Sequence, residues 1–337
     1  MFDAAAGFGG YRESGFGREG GREGLSEYRI ADEPKAKPNA SRPLPLNASP
    51  GVRPVRNIDE GPDRTAKLYV GGKQARPDSG YSYAVLDPAG REVGLAGLGN
   101  RKDIRNAVEA ATKASSWGAA TAHNRAQVLY YVAENLAARE DEFARRLSAM
   151  TGVSARAAKA EVDASIRRAF VYAGYADKFD GAVHATRSRF ITLAMNEPWG
   201  VMGVVCPDEA PLLAFVSLVM PAIAMGNCVI AVPSAGHPLI ATDFYLVLDT
   251  SDVPAGVVNI VTGEANVLAK TLAEHDGVDA VWYVGDPQGA SQVEALSAAN
   301  LKATWASGAA TDWAEAEGRD FLRRATQVKN IWTPYGE

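Results

Sequence analysis

The most reactive side chains in this sequence are the thiols of Cys206 and Cys228, the only two cysteines among 337 residues. A thiolate attacks carbonyl carbon, but it forms readily only where nearby positive charge lowers the thiol pKa. Both cysteines instead stand at or within apolar runs, where free cysteine usually behaves as a small buried hydrophobe. We therefore predict structural roles for both, with no disulfide or C-x-x-C metal framework.

The remaining groups that could do chemistry are acids and histidines. Asp208 and Glu209 precede an apolar helical stretch, which is typical of solvated charges at a helix start. Asp286 stands before a proline and is predicted to cap the helix that follows. The histidines have no i,i+4 spacing and no cysteine partner, so no metal site is predicted; they are His123, His184, His237 and His275.

The elements that must position these groups form a regular alternation. Four short, continuously apolar runs are separated by stretches of helical length; the runs are 201–206, 228–232, 257–261 and 280–284, and the stretches are 211–225, 238–250 and 264–275. This alternation predicts an α/β fold with a Rossmann-like parallel sheet and flanking helices. Helical periodicity over 100–117, 123–150 and 154–179 adds an N-terminal helical region, with Asn100 as a helix cap.

Composition limits the classes of partner. The sequence is 47% hydrophobic and carries a net charge of −5 without a basic block, so nucleic acid is not an expected partner. It contains no apolar run long enough to span a membrane and no signal-peptide pattern near its start. We expect a cytoplasmic protein that does not bind membranes.

The first 65 residues differ in character from the rest. Residues 1–30 are rich in glycine, and Gly15, Gly17 and Gly20 fit the dinucleotide pattern G-x-G-x-x-G. We reject a phosphate loop there, because no strand precedes the glycines. Residues 31–65 are rich in proline and predict an extended linker.

Residues 67–300 resemble the nucleotide-binding half of an aldehyde dehydrogenase. The resemblance is carried, in family order, by the segments 151–181, 197–213, 224–239 and 253–263. The glycine-rich stretch 8–28, FGGYRESGFGREGGREGLSEY, resembles the C-terminal end of a complete member of the family. The order of a family tail, a linker and a family head resembles the two-module aldehyde dehydrogenases, in which a degenerate second copy follows a complete enzyme.

The resemblance implies a domain organisation. Residues 1–30 would be the tail of an upstream module, ordered only together with that module, and 31–65 would be the linker. Residues 66–310 would form the nucleotide-binding-type domain. The hairpin 182–199 and the terminal strand region 311–337 would build a small β oligomerisation sheet. The catalytic domain of the family is largely absent from this alignment.

The family oxidises aldehydes with a cysteine thiolate and passes hydride to a nicotinamide, and a glutamate then activates water. Where the family has an amide that binds the oxyanion, this sequence has Glu209, an acceptor when ionised. The family's general base matches Ala306, which cannot transfer protons. The resemblance therefore implies no catalytic residue in this stretch.

The positions that match the family's cofactor site are also altered. The lysine and glutamate that hold the adenosine ribose correspond to Val232 and Ala235. Asp286 would set a negative charge beside the cofactor phosphates. We interpret the set as vestigial: Pro207, Val232, Ser234, Ala235, Gly285 and Asp286. No cofactor is expected, or NAD(P) if the ancestral site survives.

These observations favour a non-catalytic module with a structural or assembly role. Its partner would be a catalytic aldehyde dehydrogenase module in the same or another chain, and it would form a homo-oligomer. Two alternatives stay open. The stretch belongs to an NAD(P)-dependent aldehyde dehydrogenase, oxidising aldehyde to carboxylic acid, whose active site lies upstream, or it is a residual nucleotide-binding module.

Overall fold

The computed structural model describes residues 3–11, 14–29, 63–187 and 189–334, and the backbone of 54–56. The strands are β1 Pro54–Arg56, β2 Leu68–Val70, β3 Lys73–Ala75, β4 Tyr81–Leu86, β5 Glu92–Gly97, β6 Ala182–His184, β7 Phe190–Pro198, β8 Val201–Val205, β9 Cys228–Val232, β10 Val258–Ile260, β11 Ala280–Val284, β12 Ala303–Ser307 and β13 Thr326–Pro334. The helices are α1 Gly21–Glu27, α2 Arg101–Lys113, α3 Ser116–Ala119, α4 Ala122–Ala138, α5 Glu140–Thr151, α6 Ala155–Tyr175, α7 Pro211–Ala224, α8 Leu239–Asp243, α9 Tyr245–Asp249, α10 Ala265–Glu274, α11 Pro287–Ser297 and α12 Arg319–Arg324. In this described part of the chain, no helix is both long and apolar enough to cross a membrane.

The central sheet has seven strands in the order β12-β11-β8-β9-β10-β2-β3. Strands β8 to β12 pair in parallel, and β2 and β3 extend the sheet antiparallel. The predicted α/β fold with a parallel sheet is therefore confirmed, and β8, β9, β10 and β11 lie within the four predicted apolar runs. These four strands are buried at every position, because helices cover both faces of the sheet.

The helices largely follow the predicted stretches. Asn100 caps α2 in a capping box, in which its side chain accepts from the backbone of Asp103 and the Asp103 carboxylate accepts from the backbone of Asn100. The predicted helix 238–250 is instead two short helices, α8 and α9, separated at Phe244. Phe244 is buried against Phe143 and Phe215, so tertiary packing decides the break.

A second, three-stranded sheet has the order β13-β7-β6. Strand β13 pairs with β7 over nine residues in antiparallel register, from Thr326 opposite Pro198 to Pro334 opposite Phe190. The hairpin and the terminal strand predicted to form a small sheet thus meet within one chain. We refer to β6, β7 and β13 as the small sheet.

A third sheet, β1-β4-β5, lies where the main domain begins. Its first strand belongs to the predicted linker 31–65 and pairs antiparallel with β4, with Pro54 opposite Tyr83. Apart from β1 and residues 63–65, that linker lies outside the described residues.

The N-terminal glycine-rich segment packs onto the small sheet, which differs from the expectation that it orders only with a module of its own. Arg18 donates to the carbonyl oxygen of Val328, and Asn330 donates to the carbonyl oxygen of Gly7. Ala6 is buried in this contact region. The expectation followed from the resemblance to the tail of an upstream module and could not anticipate acceptors and donors some 300 positions away in sequence.

Candidate functional site

The candidate site is the crevice at the carboxyl ends of β8, β9 and β11. In open α/β sheets, this is where ligands bind. The chain places Pro207 and Asp208 after β8, Ser234 and Ala235 after β9, and Asp286 after β11. The structure therefore brings the loops that carry the vestigial positions, those matched to the family's cofactor site, to one edge of the sheet.

In the first part of this crevice, Asp208 and Ser234 bond to each other. The Ser234 hydroxyl donates to Asp208 Oδ1 at 2.5 Å, and the backbone N–H of Gly236 donates to the same oxygen at 3.2 Å. Ser234 Oγ also accepts from the backbone N–H of His237 at 2.9 Å. Val232 is buried and carries no hydrogen-bonding group. The polar groups of this loop are thus engaged with the protein itself.

In the second part, Asp286 caps the N-terminus of α11, as predicted. Its Oδ1 accepts from the backbone N–H of Gly289 at 2.8 Å, and its Oδ2 lies 3.0 Å from the Tyr283 hydroxyl. The ring of Tyr283 reaches across the glycines: a Cβ added at Gly289 would overlap the hydroxyl oxygen. The helix end that could receive a phosphate group is filled by a carboxylate and a phenol.

Asp286 is held in its charged form. Partial burial alone would raise its pKa, but the hydrogen bonds from Gly289 N–H and the Tyr283 hydroxyl outweigh burial, and the pKa lies below the usual value. Burial and then the Asp286 charge raise the pKa of Tyr283, which therefore stays a neutral phenol. A second anion ~4–5 Å from this carboxylate would be repelled by about 3–4 kcal/mol at an effective dielectric of about 20.

The two positions matched to the family's catalytic groups lie on different elements. Glu209 is exposed in the turn before α7, and Ala306 lies in β12 opposite Tyr283 of β11. The N-terminal amides of α7, those of Leu212 and Leu213, donate instead to the carboxylate of Glu161 on α6. Burial raises the pKa of Glu161, although both amide bonds act to lower it. This acid capping the helix from another element was not predicted.

Both cysteines are buried, as predicted. Burial raises the pKa of each thiol, well above the usual value for Cys206 and to about 12 for Cys228. The Cys206 backbone N–H donates to the Val232 carbonyl, and Cys228 Sγ lies 3.4 Å from the Ala114 carbonyl oxygen. Neither thiol has the surroundings of a nucleophile at neutral pH. In the described part of the chain, no group of three or more His, Cys, Asp or Glu side chains could hold a metal ion.

On strand β12, an edge of the central sheet, the side chain of Trp305 packs against α12. Trp305 packs edge-to-face against Phe321 with ring centroids 5.5 Å apart, and against Trp282 at 5.3 Å. The guanidinium carbon of Arg324 lies 4.6 Å from the Trp305 ring centroid. Where the alignment places the family's general-base motif, this chain thus has an aromatic cluster under a short helix.

Arg168 on α6 holds the segment that links β12 to α12, and sequence reasoning missed it. The side chain is almost fully buried and donates to the carbonyl oxygens of Ala316, Trp313 and Ala314 at 2.6, 3.0 and 3.2 Å. It also donates to Ser217 Oγ at 2.6 Å and Glu317 Oε2 at 3.0 Å. A sequence signal existed, since Arg168 interrupts the buried stripe of α6 three residues after Ser165 and four before Tyr172.

The residues present do not fit a dinucleotide held in the family manner. The ribose loop offers an alkyl group at Val232 and a serine already bonded to Asp208. The phosphate position offers a charged carboxylate at Asp286. These features leave a carboxylate and an alkyl group at the positions where the resemblance places the cofactor phosphates and the ribose.

Comparison with known proteins identifies the relatives of this arrangement. A sequence model of the aldehyde dehydrogenase family matches residues 58–312. Aldehyde dehydrogenase 1 from Tanacetum cinerariifolium is 31% identical over 242 residues, covering 70% of this chain and 48% of the relative. The solved NAD-dependent aldehyde dehydrogenase from Sinorhizobium meliloti superimposes with a TM-score of 0.69 at 27% identity, covering 71% of this chain and 49% of that one.

A second relative is matched over a similar share of its length. Human retinaldehyde dehydrogenase 3 is 30% identical over 258 residues, covering 74% of this chain and 50% of the relative. The chain spans about half the length of these two curated relatives.

Proposed function

We propose a non-catalytic, structural role for this chain, which belongs to the aldehyde dehydrogenase family. In this role it assembles beside a catalytic aldehyde dehydrogenase module of the same or another polypeptide. The observation that carries the proposal is that side chains of the protein itself bond to the polar groups of the crevice. Asp286 caps its own helix where a phosphate would lie, and Asp208 engages the ribose-side loop.

The small sheet supports the assembly part of the proposal. Cross-strand register puts Leu193 opposite both Val183 and Ile331, and strand alternation puts Met195 on the same face. Val183 is 69% exposed and Met195 is 46% exposed. Exposed apolar side chains gathered on one sheet face are a feature of protein interaction sites.

A catalytic assay of the chain alone tests the non-catalytic part. We expect no NADH formation above a heat-denatured sample with NAD and short aliphatic or aromatic aldehydes, because neither buried thiol is available as a thiolate. The control is the double variant Cys206→Ala, Cys228→Ala, which should behave as the unmodified chain does. Turnover that disappears in either single cysteine variant would identify a nucleophile and contradict the proposal.

A residual nucleotide-binding module is the second candidate. It is favoured by the retained crevice at the strand ends and by the NAD-dependent enzyme among the structural neighbours. Titration with NAD separates the two candidates, since a structural module binds it no tighter than millimolar and a nucleotide-binding module binds it in the micromolar range.

A further inference from the structure

Residues 3–11 and 14–29, called the docked segment below, pack on the small sheet, and Arg18 makes the largest share of their bonds to it. The Nε and Nη2 atoms of Arg18 donate to the Val328 carbonyl oxygen at 2.9 and 2.7 Å. Its Nη1 donates to the carbonyl oxygens of Gly10 and Gly17 at 2.8 and 2.7 Å. A single guanidinium therefore both folds the segment and joins it to β13.

The Val328 carbonyl belongs to the outer edge of the small sheet. In the β13–β7 register, the terminal pairs Thr326–Pro198 and Pro334–Phe190 each contain a proline, which has no N–H to donate. Prolines in a ladder occupy positions that make no ladder bond. In an antiparallel pair, positions without ladder bonds recur at every second residue, so Val328, two residues after Thr326, also makes no ladder bond to β7. Its backbone N–H and carbonyl therefore point away from β7, toward Arg18.

Other contacts fix the segment at separate points of the same surface. His184 Nε2 on β6 lies 3.1 Å from Glu23 Oε1, and both side chains are largely buried. Asn330 Nδ2 on β13 donates to the Gly7 carbonyl oxygen at 2.7 Å. Arg323 Nη1 on α12 donates to Ser26 Oγ at 2.9 Å. We refer to His184, Arg323, Val328 and Asn330 as the docking surface.

The docking surface favours a small residue in its ligand beside Asn330. A Cβ at Gly7 would stand 2.9 Å from Glu23 Oε2 of the segment and 3.2 Å from Asn330 Nδ2 of the surface, so both side chains would have to shift to admit a larger residue. Recognition thus combines a small residue, an arginine and an acid within one short stretch. These features lie in the docked segment itself, so recognition is independent of the covalent connection through residues 30–62.

We propose that the docking surface is a binding site for a glycine-rich segment of this pattern and accepts it from a second polypeptide as well as from its own chain. The polypeptide that fits is the C-terminal end of a catalytic aldehyde dehydrogenase module, which the docked segment resembles. The inference rests on the proposed function, since it names the part of the partner that is bound.

The test uses the full chain with a protease site inserted between Ala40 and Ser41, cleaved after purification. We expect the released N-terminal fragment to remain bound during gel filtration and to be displaced by a labelled peptide of residues 3–29. The uncut chain should take up little peptide, because a tethered segment competes at a millimolar effective concentration.

Two peptide variants decide the outcome. Arg18→Ala should bind about tenfold more weakly or worse, since it loses charge-assisted bonds to Val328. Arg22→Ala is the matched control, because Arg22 is exposed on α1 and makes no described bond to the docking surface; its affinity should change less than about twofold.

Equal binding by the Arg18→Ala peptide would overturn the inference, as would failure of the cleaved protein to bind any peptide. If the peptide fails while the intact chain still associates with a catalytic module, the inference falls and the proposed function stands. Displacement by the peptide of residues 3–29 with the expected variant order supports both.

Discussion

Replacing Arg168 with alanine is expected to lower the free energy of unfolding by about 3–5 kcal/mol, because several buried oxygen atoms each lose a donor at a cost of about 1–3 kcal/mol. The substitution leaves the carbonyls of residues 313, 314 and 316 and the Ser217 hydroxyl without their donor. These groups connect α6 and α7 to the segment that leads into α12 and β13. Urea unfolding followed by circular dichroism measures the change.

The neighbouring Arg167 provides a matched control for this effect. It lies on the same helix but is exposed, so Arg167→Ala should change the unfolding free energy by less than about 0.5 kcal/mol. Arg168→Lys should fall between the two, because an ammonium cannot reproduce the fork of a guanidinium. If Arg168→Ala and Arg167→Ala have equal effects, Arg168 does not anchor the segment.

Replacing Asp286 with serine is expected to strengthen NAD binding by up to about a hundredfold, which corresponds to removing about 3 kcal/mol of repulsion at the phosphate position. Serine retains the ability to cap α11, so the helix should be preserved. The gain starts from very weak binding because Val232 and Ala235 still lack groups for the ribose. Isothermal titration of both proteins with NAD gives the ratio.

Glu294→Gln is the control for net charge in that titration. Glu294 is an exposed acid on the same helix, and its removal should leave NAD affinity unchanged within about twofold. An Asp286→Ser protein that binds NAD no better than the unmodified chain would show that this carboxylate is not the obstacle. Micromolar binding by the unmodified chain would favour the nucleotide-binding alternative.

Much of the fold could be predicted because burial on both faces of the central sheet leaves a local signature. Continuous apolar runs such as 228–232 and 280–284 predicted strands that the structure contains. Asp286 was predicted as a helix cap because capping depends on residues within one turn. Strand β12 was not predicted, since Trp305 and its neighbours are only partly buried and carry no such run.

The parts that escaped prediction depend on contacts distant in sequence. The bonds of Arg168 reach residues 313–317, and those of Arg18 reach Val328. The position of Tyr283 in the crevice also depends on distant residues. Its hydroxyl on β11 lies between Asp286 and Asn266, and Asn266 belongs to α10. No local sequence pattern predicts these contacts. The position of Arg168 within the buried stripe of α6 could, however, have indicated a buried arginine with distant partners.

The most direct test of the account is light scattering of this chain mixed with a catalytic aldehyde dehydrogenase module. At about 10 μM of each protein, above a micromolar Kd, we predict a complex of both that dissociates with Met195→Glu on the small sheet. Val267→Glu, on α10 with a matched exposure of 49% against 46%, should leave the complex intact. Two unassociated proteins in this experiment would contradict the proposed assembly role.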